Sequence, residues 1–224
     1  MSISKEKLIE AEAKALYLFK EIEARGIIAA FKTEKQINTE IHNLAFELFG
    51  IKKYWHKRIV RAGANTLSAY SSNPANLTLQ EDDILFIDFG PIFEDWEADF
   101  GRTYVIGNDP YKIKLRDDLE KAWNEIKDWF EQQTSITGSE LFYEVLQTTK
   151  RYGWTFGSTI AGHLIGQFPH EKIQPKSHAL YIHKMNYTDM LLPDANGNKR
   201  HWILEVHFVD KQQKIGGFFE QLLC

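Results

Sequence analysis

Two aspartates set into apolar runs constrain the fold of this chain more tightly than any other feature. In the stretch EDDILFIDFGPIFEDWEADFGRTY, Asp88 closes the run 84–89, and Asp99 stands in the run 98–106, eleven positions further on. Both runs are rich in the β-branched and aromatic residues that suit a half-buried pleated surface, so both predict strands. Residues 91–95 predict the turn between them, and the resulting hairpin sets the two carboxylates side by side on one face. Two like charges that close are unfavourable to bury unless a cation or a proton neutralises them. Such a hairpin implies a bound cation, unless the acids cap the turn or pair with Arg102.

Further along, AGHLIGQFPHE puts His163 among small and apolar residues with His170 seven positions later. HWILEVHFVD places Glu205 in the middle of a β-like run, and GGFFEQLL does the same for Glu220. Imidazole is the usual nitrogen ligand of a catalytic divalent ion, although a histidine on an apolar strand also serves as a hydrogen-bonded core residue. An acid embedded in such a strand is seldom left unpaired. The glycines near His163 form neither a G-x-G-x-x-G nor a P-loop pattern. Asp88, Phe89 and Gly90 spell the metal-binding tripeptide of protein kinases, but no H-R-D-x-x-x-x-N loop accompanies it.

Leu8, Ile9, Leu16, Phe19 and Ile22 recur at helical spacing, with Gly26 where a C-terminal cap belongs. Thr33 with Gln36, and Thr137 with Glu140, are capping boxes opening the stripes Ile37, Ile41, Leu44, Leu48 and Leu141, Val145, Leu146. Leu119, Ala122, Trp123, Ile126 and Phe130 predict another helix between the hairpin and the second box. The β-like runs are 84–89, 98–106, 154–160, 201–209 and 218–223. Helices, strands, helices, strands in that order predict an α+β fold, with helices on one face of a largely antiparallel sheet. No linker or short repeat interrupts residues 1–224, which read as one domain.

A chain of 224 residues with 43% hydrophobic positions buries about 70% of its unfolded surface, so a metal would be there for chemistry and not for folding. Lys plus Arg number 27 against 31 Asp plus Glu, a net charge of -4 that gives no general attraction to nucleic acid. The one cysteine, Cys224, allows no internal disulfide or CxxC site and suits a reducing compartment. The amphipathic start has no signal-type apolar core, and no run of 18 apolar residues follows, so a cytoplasmic protein without membrane partners is expected.

Asp, Asp eleven later, a GH motif with a second histidine seven on, then two strand-borne glutamates: in that order the set resembles the methionine aminopeptidase, Xaa-Pro peptidase and creatinase superfamily, over roughly residues 55–223. The resemblance implies the pita-bread fold, a curved, mainly antiparallel sheet with helices outside and two halves related by a pseudo-two-fold axis. It implies a dinuclear hydrolase in which Asp88 holds one cation, Asp99 and Glu220 bridge both, and His163 and Glu205 complete the other. Bridging carboxylates hold two divalent ions about 3.5 to 4 Å apart and the ions lower the pKa of a shared water. Oxygen-rich ligation with one imidazole favours Mn²⁺ first, with Fe²⁺, Co²⁺ or Zn²⁺ as substitutes. Glu205 matches the proton acceptor, and His170 the histidine that hydrogen-bonds the substrate.

The sequence also departs from that pattern. Relatives carry a further histidine about 17 to 18 residues before the first aspartate, where this chain has Tyr70, Ser71 and Ser72. The nearest upstream histidine is His56, either a residue that reaches the site from a loop or an ordinary surface or core residue. His207 shares a face with Glu205 if that run is regular, as a partner of the metal ligands, a non-standard ligand or a plain strand residue. Val206 replaces a common proline, and Phe218 stands where Xaa-Pro peptidases commonly have arginine. In the basic cluster from Lys52 to Arg61, Arg58 or Arg61 is a candidate for a substrate carboxylate. Trp96, Trp154 and Trp202 are either pocket or core. The expected activity is Xaa-Pro aminopeptidase or dipeptidase cleavage of small peptides, with His170, His56, Tyr70 and His207 as substrate contacts. The alternatives are creatinase-like chemistry on a small amide or amino-acid derivative, and a pita-bread binding module without activity. A homodimer is compatible with either.

Overall fold

Thr33 and Thr137 begin two helices by the same device: each side chain accepts from the backbone three residues on, and Gln36 or Glu140 returns the bond to the cap backbone. In the computed structural model, which describes residues 3–169, 177–194 and 196–223, these are α2 (Glu34–Phe49) and α4 (Gly138–Arg151). They follow α1 (Ile3–Ala24) and α3 (Pro110–Glu131) respectively. Gly50 ends α2 in the left-handed conformation, φ 67°, which glycine adopts without a Cβ penalty. The third predicted helix is longer than its stripe because Asp109 caps it and Pro110 opens it.

The strands are β1 (Ile59–Ala62), β2 (Ile84–Phe89), β3 (Ile92–Phe93), β4 (Trp96–Glu97), β5 (Phe100–Val105), β6 (Thr155–Phe156), β7 (Gly162–Ile165), β8 (His201–Asp210) and β9 (Ile215–Leu223). Among the described residues the main sheet is antiparallel throughout, in the order β1-β2-β5-β9-β8-β6, with β7 beside β8. The β3–β4 ribbon is the predicted turn, tightened by Glu94 and Asp95 at positive φ.

Alternation along the strands decides which residues meet the helices. Leu85, Ile87 and Phe89 of β2 pack with α1 and α2 in one core. Leu204, Val206 and Phe208 of β8 pack with α3 and α4 in a second. Each half of the sheet carries its own helix pair, the doubled α+β arrangement expected of a pita-bread fold. The residues between, Phe86, Asp88, Glu205 and His207, face the other side.

Candidate metal centre

Register assembles the acids. Asp88 lies opposite Gly101, Gly101 opposite Glu220, and Glu220 opposite Glu205, and directly opposed residues point to the same side of a sheet. Asp99 sits one residue before β5, and His163 of β7 lies opposite Ile203, two residues before Glu205. Gly101 keeps the middle of this row open: a Cβ there would fall 2.6 Å from Phe218 Cδ1 and 3.1 Å from Glu220 Cβ.

The side chains converge. His163 Nε2 lies 2.9 Å from Asp99 Oδ2, 3.7 Å from Glu205 Oε1 and 3.9 Å from Glu220 Oε1. His56, in the coil before β1, brings its Nε2 to 3.1 Å from Asp99 Oδ1 and 3.5 Å from Asp88 Oδ1. Two groups, His56 with Asp88 and Asp99, and Asp99 with His163 and Glu220, each gather ligand atoms within 4.8 Å of one another. All four acids and His163 are buried. Asp88 Oδ1 and Glu220 Oε2 are buried without a hydrogen-bond partner.

Burial dominates the electrostatics. It pushes Asp88 up to about 7 and Glu205 up to about 8, against the attraction of nearby imidazoles. Burial, with the charges of Asp99 and Asp88 behind it, raises Glu220 well above the usual carboxylate range. Asp99 suffers the same burial, but His56 and His163 outweigh it and hold that carboxyl low. Burial pulls both histidines down while their carboxylate neighbours, Asp99 foremost, lift each to about 9. Crowded carboxylates forced toward protonation, two of them with partnerless oxygens, facing imidazole nitrogens, match the donor set of divalent cations.

The residues singled out in the sequence separate into two groups. Asp88, Asp99, His163, Glu205 and Glu220 come together, and His56 joins them from its loop. Tyr70 stands at the rim, half exposed, its ring 6.1 Å from His56 and its hydroxyl accepting from the Lys57 amide at 3.3 Å. His207 shares the face of Glu205 but lies among Phe86, Phe218 and Thr66, its Nε2–H donating to the Thr66 carbonyl at 3.0 Å. Burial pushes it down to about 4, so it is neutral. His170 falls outside the described residues. Arg102 does not pair with the acids. It lies on the helix side between the Phe100 and Phe219 rings. Trp154 and Trp202 belong to the core beneath α3 and α4. Arg58 stacks over Tyr54 and donates to Asn38, while Arg61 is buried and donates to the Ser72 carbonyl. The aromatic residue at the centre is Trp55, which the sequence did not single out: its ring centroid lies 4.5 Å from that of His56 and 4.9 Å from that of His163.

Fold and site together define a metallopeptidase-type centre, and comparison with known proteins agrees. The model of metallopeptidase family M24 matches residues 6–196, so the chain belongs to that family. Among solved structures, it is similar to an Xaa-Pro dipeptidase from Bacillus anthracis (TM-score 0.77, 18% identity, 98% of this chain and 57% of that one). It is likewise similar to an X-Pro aminopeptidase from Thermotoga maritima (0.76, 19%, 97% and 56%). A methionine aminopeptidase from Thermotoga maritima is covered almost whole (0.72, 16%, 99% and 92%). The chain spans just over half the length of the prolidase-type structures it matches, 56% for a prolidase from Thermococcus sibiricus. No curated protein matches it. No helix among the described residues is long and apolar enough to cross a membrane.

Proposed function

We propose that the chain is a hydrolase of small peptides, Xaa-Pro aminopeptidase or dipeptidase in type, working with two divalent cations held by Asp88, Asp99, His163, Glu205 and Glu220. The observation that carries this reading is the buried row of carboxylates, with Asp88 Oδ1 and Glu220 Oε2 left partnerless and imidazole nitrogens facing in. Mn²⁺ is the first choice for so oxygen-rich a set. Cations bound there supply Lewis acidity toward a carbonyl and lower the pKa of a bound water.

The protein's own groups do the rest. Asp99, with one oxygen toward each histidine, would hold both cations. Glu205, buried beside His163 with Oε1 3.7 Å from its Nε2, is the proposed proton acceptor: as a carboxylate it would take a proton from the attacking water and return it to the leaving amine. His163 is locked in one tautomer, because its Nδ1–H donates to the Leu164 carbonyl at 2.8 Å and leaves Nε2 for the site. A cleft of about 570 Å³ borders His56 and is rimmed by Lys52, Lys53, Lys57 and Arg58, a positive mouth for the acidic end of a short peptide. Tyr70 and His207, with His170 beyond the described residues, complete the proposed substrate contacts. The reading takes residues 1–224 as one catalytic domain acting in the cytoplasm.

The test is a panel of Xaa-Pro and Met-Xaa peptides offered to the Mn²⁺-loaded protein. Cleavage that Glu205→Gln lowers by at least about a hundredfold is expected. Turnover no higher than that of the variant overturns the reading.

A further inference from the structure

The family resemblance supplies one imidazole to the metal centre, whereas this chain brings two. His56 and His163 are wired alike although they lie far apart in sequence. Each donates Nδ1–H to the carbonyl of the next residue at 2.8 Å, Lys57 for one and Leu164 for the other. A carbonyl only accepts, so in both neutral rings the lone pair sits on Nε2. Each Nε2 then faces its own oxygen of Asp99, Oδ1 at 3.1 Å for His56 and Oδ2 at 2.9 Å for His163.

The surroundings of His56 are built for that pose. Its ring packs edge to face on Trp55, which also packs on His163 and whose indole N–H donates to the Ala98 carbonyl at 3.0 Å. Gly90 makes the approach possible, since a Cβ there would fall 2.2 Å from His56 Cδ2 and 2.4 Å from its Nε2. The side chain is only 7% exposed, and Nε2 points between Asp99 and the partnerless Asp88 Oδ1 rather than outward. A residue serving only to touch substrate would not need its nitrogen buried between two carboxylates.

The geometry points to His56 as a ligand of the cation held by Asp88 and Asp99, giving a centre of one imidazole per metal with Asp99 between the halves. This rests on the two-cation reading above and adds a sixth ligand to it. The sequence carries no histidine at the usual upstream position, and His56 reaches the site from the loop before β1 instead.

Cadmium is the probe: the metal alone, added to protein carrying isotopically labelled histidine nitrogen and read by cadmium NMR. Two cadmium signals, each split by one histidine nitrogen, are expected from the wild type, which needs no variant to fold. One split and one unsplit signal overturns the inference and leaves the two-cation reading standing. Fewer than two bound cadmium ions sinks that reading and the inference with it. In His56→Gln, calorimetry with Mn²⁺ is expected to show one site weakened about tenfold or more and the other unchanged. Two sites of wild-type affinity in a folded variant, judged by circular dichroism, would mean that His56 merely balances charge in the metal-free protein, and would overturn the proposal.

Discussion

Gly101 and Arg102 are adjacent in sequence and serve opposite sides of the sheet. Gly101 leaves space among the carboxylates. Arg102 fills the seam between the two helix pairs, its guanidinium 3.8 Å from the Phe100 centroid and 3.7 Å from that of Phe219. It donates to the carbonyls of Gly101 and Glu220 and to the Gln221 side chain. Removing a half-buried cation with that many partners leaves acceptors unsatisfied, so Arg102→Ala should cost about 2 to 4 kcal/mol in urea unfolding while leaving the carboxylates on the opposite face in place. The sequence singled out Asp88, Asp99, His163, Glu205 and Glu220 by their order, which resembles that of a known family, and the four acids also stood out because charged atoms inside apolar runs require a partner. It left His56 undecided because a histidine in coil carries no such tension, and nothing local links it to Asp99, forty-three positions away.

At the scale of elements, the helix starts were the plainest part of the sequence. Ser, Thr, Asp or Asn followed by Glu or Gln three residues on is a local bargain between side chain and backbone, and both boxes form as read. Thr33→Ala and Thr137→Ala should each lower stability by about 1 kcal/mol in chemical denaturation, and the double variant by about the sum, because the caps start separate helices. Strands were read less well. The run 154–160 pairs only over Thr155–Phe156, and β7, four residues opening on a glycine, is absent from the predicted β-like runs although His163 reads as a histidine on an apolar strand. Its pairing with β8 comes from across the sheet, which no local pattern announces.

The whole molecule brings like charges together, and its pH dependence should show it. Glu205 rises from 4.5 to about 8 and Asp88 from 3.8 to about 7, so the folded chain holds protons that the unfolded chain has released. His56 and His163, lifted from 6.5 to about 9, contribute stability below the unfolded value that is lost as pH climbs through the folded one. Asp99, held low, contributes stability that is complete above pH 3.8 and is lost as pH falls below it, so it adds no slope above that value. The signs agree: from about pH 5 to about pH 9 the metal-free protein should lose stability as pH rises. Bound cations compete with those protons. Mn²⁺ should therefore raise Tm more at pH 8 than at pH 5, by calorimetry, and a chelator should reverse the gain. An equal Tm rise at both values would contradict this account.

Read alone, the amino-acid sequence determined the two capping-box helix starts, the hairpin from 84 to 105, the α+β class and the acids that stand in apolar runs, because each follows from tension within a few neighbouring residues. Only the tertiary structure decided that β1, β2, β5, β9 and β8 line up in register, that Trp55 stands between two histidines, and that His56 turns inward to Asp99. Those are contacts between segments far apart along the chain, fixed by packing across a sheet, and packing leaves no signature in the order of residues on either side of it.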